Sequence, residues 1–113
     1  MQSIKIKEIV DFTRGKVKTL KNENFNVCEI VTDSRQANNN SLYIPIIGEK
    51  LDGHQFLNDA YNNGCRNFLI DKDHEFIKDD INLIEVEDTT KSYGDIAKNY
   101  KNKFSVKTIG VTG

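Results

Sequence analysis

Residues 42–47 form an unbroken apolar run, Leu-Tyr-Ile-Pro-Ile-Ile, which limits what the chain can fold into more than any other stretch. A strand with one buried face alternates apolar and polar residues, because its successive side chains point to opposite sides of the sheet. An unbroken run is typical of a strand that is covered on both faces. Pro45 cannot donate a hydrogen bond to a neighbouring strand, so we expect this strand to lie at a sheet edge or to carry a bulge.

Segments typical of strands and of helices alternate along the rest of the chain. The predicted strands are residues 17–20, 28–31, 42–47, 67–70, 81–86 and 106–111. The predicted helices are residues 6–14, a helix that Asp52 caps and Gly64 ends, and a third helix that Thr89 caps. This alternation predicts an α/β fold, with a small mixed or parallel sheet flanked by about three helices.

The length and composition exclude several classes of protein. A chain of 113 residues is one domain by length, and its net charge of −1 gives no general attraction to nucleic acid or to anionic membranes. No apolar run is long enough to cross a membrane, and the first residues lack the apolar core of a signal peptide. Cys28 and Cys65 have no CxxC or CxxH neighbours, so we expect two buried, reduced thiols. These features indicate a cytoplasmic protein without nucleic-acid or membrane partners.

A polar turn, Asp33-Ser34-Arg35, follows the second predicted strand and brings a carboxylate, a hydroxyl and a guanidinium together. The arginine fork matches the paired oxygens of a phosphate or carboxylate group, and loops at strand ends often carry binding residues. On residue types alone a structural role is favoured, in which Asp33 closes the turn and Arg35 pairs with it at the surface. Both roles stay open at this point.

A second polar segment covers residues 48–54 and contains the expected helix start at Asp52. In the simpler interpretation, Asp52 caps the helix and His54 is exposed. In the other, the free N–H groups at the helix start attract an anion, with Lys50 and His54 on either side. His54 and His74 are isolated from other potential ligands in the sequence, so no metal site is predicted.

The last residues, Ile-Gly-Val-Thr-Gly at 109–113, indicate a strand that leads into a glycine turn. Such a strand precedes the phosphate-binding loop of P-loop proteins, whose pattern is GxxxxGK[ST]. Counted from Gly110, the second glycine, the lysine and the Ser/Thr of that pattern would all follow residue 113. We therefore expect Gly110, Thr112 and Gly113 to begin an ATP-binding loop at a domain boundary.

Taken together, these motifs resemble the Mur ligases, the ATP-dependent enzymes that form amide bonds in peptidoglycan precursor synthesis. The resemblance lies in the order and spacing of seven segments, which are residues 32–35, 41–45, 48–49, 52–56, Ala60 with Asn63-Gly64, 86–89 and 109–113. It implies that residues 1–105 are the N-terminal domain, which binds UDP-N-acetylmuramoyl-peptide. It also implies that residues 106–113 are the first strand and the start of the P-loop of a central ATPase domain.

The resemblance implies a set of substrate-binding residues, which are Asp33, Ser34, Arg35, Gly48, Glu49, Lys50, Asp52, Gly53 and His54. Ser34 and Arg35, in the turn after the second strand, would contact the uridine and its neighbouring groups. Residues 48–50 would line the uracil side, and residues 52–54 would close the pocket. None of these residues is expected to be catalytic.

The family reaction uses ATP to phosphorylate the terminal carboxylate of the substrate, and the incoming amine then attacks the acyl phosphate. A P-loop lysine and magnesium ligands carry out this step in the family, and residues 1–113 contain none of them. ATP and Mg²⁺ are therefore expected in the full-length enzyme and not in this chain. Residues 1–113 should bind the nucleotide sugar without catalysing the reaction.

Within the family, the chain is more similar to the members that add D-alanyl-D-alanine to the tripeptide precursor. The run Gly-Glu-x-x-Asp-Gly-His-x-Phe supports this choice, and so does Phe104-Ser105, where the diamino acid-adding members tend to carry Pro-Ser. The diamino acid-adding ligase is the first alternative. A stand-alone nucleotide-binding or interaction module is the second, and a P-loop NTPase with an unrelated front domain is the third.

Overall fold

The computed structural model of the chain describes the backbone of residues 3–104 and the side chains of residues 3–100. The strands in this part are β1 (Ile4–Lys5), β2 (Lys16–Leu20), β3 (Asn26–Val27), β4 (Glu29–Val31), β5 (Ser41–Tyr43), β6 (Asn67–Asp71) and β7 (Asn82–Val86). The α-helices are α1 (Ile6–Thr13), α2 (Leu57–Asn62) and α3 (Thr89–Phe104), and short 3-10 helices cover Ser34–Gln36 and Gly53–Phe56. The predicted strand 106–111 lies outside the described residues, as do Gly110, Thr112 and Gly113. Of the helices described, none is long and apolar enough to cross a membrane.

Five strands form one mixed sheet in the order β2-β7-β6-β5-β4. The strands β4, β5, β6 and β7 run parallel to one another, and β2 pairs antiparallel with β7 at one edge. The strands β1 and β3 form a separate antiparallel pair, in which Ile4 lies opposite Val27. The prediction of an α/β fold with a small mixed sheet and about three helices is confirmed.

The central strands bury side chains on both faces of the sheet. Leu42 of β5 packs in one core cluster with Ile9 of α1 and Ile96 of α3. The next residue, Tyr43, packs in a second cluster with Leu57 of α2. Successive side chains in a strand point to opposite faces, so helices must cover both faces for both residues to be buried. The two-sided cover accounts for the unbroken apolar run in the sequence.

The strand in that apolar run ends before its proline. β5 stops at Tyr43 and lies inside the sheet between β4 and β6, so the expected edge strand or bulge at Pro45 is wrong. The Ile44 N–H still donates to the Val31 carbonyl at 2.9 Å. Pro45 needs no ladder partner, because the chain leaves the sheet one residue earlier.

The second and third helices begin differently from the prediction. Asp52 does cap a helix, but this is the 3-10 helix Gly53–Phe56, and α2 follows it. The start of α3 is capped by Asp88 rather than by Thr89, since the Asp88 carboxylate accepts a first-turn N–H at 3.0 Å. Thr89 instead donates its hydroxyl to the Pro45 carbonyl, which ties α3 to the end of the apolar run.

The two cysteines are free thiols, but they differ in burial. Cys65 is fully buried, burial raises the pKa of its thiol, and its Sγ donates to the Asn67 carbonyl at 3.2 Å. Cys28 is exposed, because it lies in the connection between β3 and β4 rather than in a strand. The prediction of two buried thiols is therefore correct for Cys65 and wrong for Cys28.

Candidate functional site

A cleft of about 540 Å³ opens beside the carboxyl ends of β4 and β5. Three segments form its walls: the turn after β4, the segment after β5 and the start of α2. The residues that line it are Thr32, Asp33, Ser34, Arg35, Tyr43, Ile46, Leu51, Gly53, Phe56 and Asp59. Its volume lies in the ordinary range for small-molecule sites, and open α/β sheets commonly bind ligands at the carboxyl ends of their strands.

Asp33 and Arg35 form a two-point ion pair on one wall of the cleft. Arg35 Nη2 donates to Oδ2 at 2.7 Å, Nε donates to Oδ1 at 3.0 Å, and the Arg35 backbone N–H donates to Oδ1 at 2.9 Å. These hydrogen bonds, the side-chain bonds foremost, lower the pKa of Asp33 to about 2. Asp33 therefore closes the turn and pairs with Arg35, which is the structural role considered from the sequence. The Arg35 side chain is also 86% exposed, and no group in the described part of the chain occupies its Nη1 donors.

Ser34 is held in place by a residue at the end of α2. Its side chain is buried within the turn, and its carbonyl accepts a hydrogen bond from Asn63 Nδ2 at 2.9 Å. Asn63 follows the last residue of α2, and Gly64 after it has a φ of +104°, a conformation that favours glycine. The Asn-Gly pair thus ends the helix and anchors the turn at residues 33–35.

A hydrogen bond between Tyr43 and Gly53 joins β5 to the 3-10 helix before α2. The Tyr43 hydroxyl donates to the Gly53 carbonyl at 2.7 Å. Burial, together with the nearby charges of Asp33, Asp52 and Asp59, raises the pKa of Tyr43 to about 12. A Cβ atom at Gly53 would lie only 2.8 Å from two backbone atoms of residues 45 and 46, so only glycine allows this close approach.

The helix start at Asp52 has no free N–H group for an anion. The Gly53 N–H donates to the Ile46 carbonyl at 2.9 Å, and the His54 N–H donates to Asp52 Oδ1 at 2.9 Å. The Gln55 N–H donates to the Asp52 carbonyl at 3.0 Å. The anion-binding interpretation of this helix start is therefore wrong, because the chain itself satisfies the donors.

His54 connects the segment before α2 to the ends of two other elements. Its side chain is only 4% exposed, Nδ1 lies 2.7 Å from Asp52 Oδ1, and Nε2 accepts the Asp71 N–H at 3.0 Å. This pattern assigns the proton to Nδ1. Asp71 in turn accepts the Thr89 N–H on Oδ1 at 2.8 Å. The expectation of an exposed His54 is wrong, and its ring is a buried connector.

His74 stacks on His54, although the sequence shows the two histidines as isolated. Their ring centroids are 3.7 Å apart with an interplanar angle of 9°, and His74 Nε2 lies 3.8 Å from Asp52 Oδ2. Potential ligand atoms of Asp52, His54 and His74 all lie within 4.8 Å of one another. Both nitrogens of His54 already have partners, so a metal ion would have to displace one of those bonds. The geometry favours a structural cluster.

The structure brings together some of the residues that the resemblance implies and separates others. Asp33, Ser34, Arg35 and Gly53 line the cleft. Residues 48–50 do not line it: they form a hairpin turn in which the Gly48 N–H donates to the Leu51 carbonyl at 2.8 Å. Asp52 and His54, the two remaining residues of the set, do not line the cleft and are hydrogen-bonded to each other. They therefore help to position Gly53, which lies between them in the sequence.

The sequence did not indicate several of the lining residues. Leu51, Ile46 and Phe56 add apolar surface, and Asp59 adds a carboxylate from α2. Phe56 and Asp59 sit at the start of a helix, where their role in a cleft has no local signature. Tyr43 belongs to the apolar run, whose pattern predicts a core residue. Tyr43 is indeed buried in the core, and it also lines the cleft.

Comparison with known proteins identifies the family. Residues 26–101 match the family described as Mur ligase family, catalytic domain, which is about two thirds of the chain. The UDP-N-acetylmuramoyl-tripeptide--D-alanyl-D-alanine ligase of Bacillus subtilis is 30% identical over 108 residues, which cover 96% of this chain and 24% of the relative. The UDP-N-acetylmuramoyl-L-alanyl-D-glutamate--2,6-diaminopimelate ligase of Clostridium perfringens is 33% identical over 94 residues, covering 81% of this chain and 19% of the relative.

A solved structure shows the same fold. The UDP-N-acetylmuramoylalanyl-D-glutamyl-2,6-diaminopimelate--D-alanyl-D-alanyl ligase of Acinetobacter baumannii superposes with a TM-score of 0.80 at 21% identity. The match covers 91% of this chain and 22% of that protein. The chain thus spans about a fifth to a quarter of the length of the relatives it matches. The family predicted from the motifs is confirmed, and the chain belongs to the Mur ligase family.

Proposed function

We propose that residues 1–105 form the N-terminal, nucleotide-sugar-binding domain of a Mur ligase and hold the UDP end of UDP-N-acetylmuramoyl-peptide in the cleft. The proposal is supported by the lining of the cleft, which combines two segments that carry the family resemblance. These are the turn at residues 32–35 and Gly53. The apolar walls suit a flat ring, and the exposed Arg35 side chain suits a phosphate group.

The full-length protein would join D-alanyl-D-alanine to UDP-N-acetylmuramoyl-tripeptide, as the name of the Bacillus subtilis relative states for that protein. Amide formation from a carboxylate requires activation, and ATP with Mg²⁺ would supply it as an acyl phosphate. Residues 106–113 would begin the central domain, with Gly110, Thr112 and Gly113 at the start of the ATP site. Residues 1–113 alone would bind substrate without turning it over. The free thiols are consistent with a reducing cytoplasm.

A diamino acid-adding ligase is the second candidate, because the Clostridium perfringens relative carries that activity in its name and is 33% identical. The two candidates share the UDP end of the substrate, so binding by this chain does not separate them. Activity assays of the full-length protein do so, with D-alanyl-D-alanine or 2,6-diaminopimelate as the acceptor. A stand-alone binding module would add neither of these acceptors to the substrate.

Binding is tested by titrating the chain with UDP-N-acetylmuramoyl-tripeptide, UDP and ATP while recording amide chemical shifts. We expect saturable shifts around residues 32–35 and 53–59 with the first two ligands and none with ATP. Arg35→Ala should weaken UDP binding about tenfold, the effect of one charge-assisted hydrogen bond, and leave the domain folded. Lys7→Ala removes an exposed cation on α1 and serves as the matched control.

Two results would count against this assignment. An unchanged dissociation constant for Arg35→Ala removes Arg35 from the site. Shifts with neither UDP nor the full substrate remove the cleft from consideration as the UDP site of this chain.

A further inference from the structure

The lining of the cleft carries one unbalanced negative charge. Its charged side chains are Asp33, Arg35 and Asp59, whose charges sum to −1, and the ion pair of the first two uses Nε and Nη2 of Arg35 and leaves Nη1 exposed. The carboxylate of Asp59 has no hydrogen-bond or ion-pair partner among the described residues. Tyr43 is neutral near pH 7, since its pKa is raised to about 12. Asp59 is exposed at the cleft, so an anionic group bound beside it would meet an unpaired carboxylate.

The backbone of Asp59 is fixed in α2, and its exposed side chain lines the cleft, where it can contact a ligand. It lies in α2 one turn before Asn63, and its carbonyl accepts the Asn63 N–H at 3.1 Å. Residues four apart share one helix face, and Asn63 contacts the Ser34 carbonyl from that face. Asp59 is thus placed beside the Ser34 turn, on a helix rather than on a loop.

A free carboxylate only accepts hydrogen bonds, so it selects N–H and O–H donors and repels phosphate. The cation of the cleft lies at the exposed end of Arg35, whose side chain is 86% exposed. An uncharged ring with donors suits the side of the cleft that carries Phe56 and Asp59, while a diphosphate suits the side that carries Arg35. The charge pattern therefore orients a nucleoside diphosphate.

We infer that Asp59 is a specificity-determining residue, which accepts a hydrogen bond from the nucleoside part of the ligand and keeps the diphosphate on the Arg35 side of the cleft. The donor is either the imide N–H of the pyrimidine or a ribose hydroxyl, and both are present in uridine. This inference rests on the proposed function of the cleft, and it assigns to α2 a residue outside the motifs that carry the family resemblance.

The test compares the dissociation constants of UDP and uridine for the unmodified chain and for Asp59→Asn. Loss of the charge should weaken both ligands about fivefold to tenfold, because a charge-assisted hydrogen bond becomes a neutral one. If the diphosphate instead lies beside Asp59, the same substitution relieves a repulsion and UDP binds more tightly. The sign of the change therefore decides between the two orientations.

Asp11→Asn makes the same change of charge on α1, away from the cleft lining, and should leave both constants unchanged. N3-methyluridine and 2′-deoxyuridine identify the donor: the analogue without the contacted donor should bind equally to both forms of residue 59. If UDP binds the unmodified chain with shifts at residues 32–35 and Asp59→Asn has no effect or tightens binding, the inference fails while the proposed function stands. If UDP causes no shifts, both fail.

Discussion

The Nε2 atom of His54 accepts the backbone N–H of Asp71 at 3.0 Å, and this bond joins the segment before α2 to the end of β6. The acceptor and the donor are 17 residues apart in the sequence. The bond holds Gly53 against the chain that leaves β5, and Gly53 lines the cleft. A buried histidine thus shapes the cleft without entering it.

Replacing His54 with alanine should destabilise the domain by about 2–4 kcal/mol, because it removes a buried ring and leaves the Asp71 N–H without its acceptor. His74→Ala is the matched control. Because the His74 side chain is 37% exposed, its loss should lower the free energy of unfolding by less than about 1 kcal/mol. Urea unfolding followed by circular dichroism measures both. Equal losses for the two variants would contradict the connector role.

Gly53→Ala should destabilise the domain by about 1–3 kcal/mol, because the added Cβ lies 2.8 Å from the backbone of residues 45 and 46. Gly94→Ala in α3 is the matched control, since a Cβ there meets nothing within 4 Å. In a helix interior that change should stabilise by about 0.5–1 kcal/mol. Thermal unfolding of both variants gives the sign of each change in stability. An unchanged stability of Gly53→Ala would show that the backbone at residues 45 and 46 can move away from the added Cβ.

The Asp33 carboxyl should titrate with a midpoint of about 2 in the folded chain, observed through its carbon chemical shift. Its unperturbed value is 3.8, so the contribution of the ion pair to stability is present above pH 4 and is lost as the pH falls towards 2. Arg35→Ala should return the midpoint towards 3.8. Lys7→Ala should leave it unchanged, and an unshifted midpoint in Arg35→Ala would mean that another group holds the Asp33 charge.

Tyr43→Phe should cost about 1 kcal/mol, because the Gly53 carbonyl loses the hydroxyl that donates to it. Burial raises the Tyr43 pKa from 10.0 to about 12, so this residue stabilises the fold below pH 10 and the contribution disappears as the pH approaches 12. The tyrosinate absorbance of the folded chain should lose its latest-titrating component in Tyr43→Phe. Retention of that component would assign it to another tyrosine.

The fold was largely predictable, because burial on both faces leaves a signature in the sequence. The apolar run at residues 42–47 required helices on both sides of the sheet, and the structure has them. The position of Pro45 misled the prediction, since the run continues past the point where the strand ends. Ile44 remains buried as part of the core although β5 ends at Tyr43, so apolarity marks burial and not the strand boundary.

The candidate site was predictable where its residues belong to short local motifs. The turn at residues 33–35 and Gly53, both singled out from the sequence, line the cleft. The stacking of His74 on His54 and the presence of Asp59 in the cleft depend on how separate elements pack, which no local pattern encodes. Residues 48–50 belong to a motif of the family, yet their turn lies away from the cleft lining.

The pairing of β2 with β7 has a consequence for the order of folding. Lys21, just after β2, donates its N–H to Asn82 at the start of β7, 61 residues further along the chain. During synthesis β2 must therefore wait for its neighbour until nearly the whole domain has been made, and contacts of such long range slow folding. Lysines at positions 16, 18 and 21 accompany this strand. Charged side chains on an unpaired strand discourage its association with another chain, so they protect β2 throughout that interval.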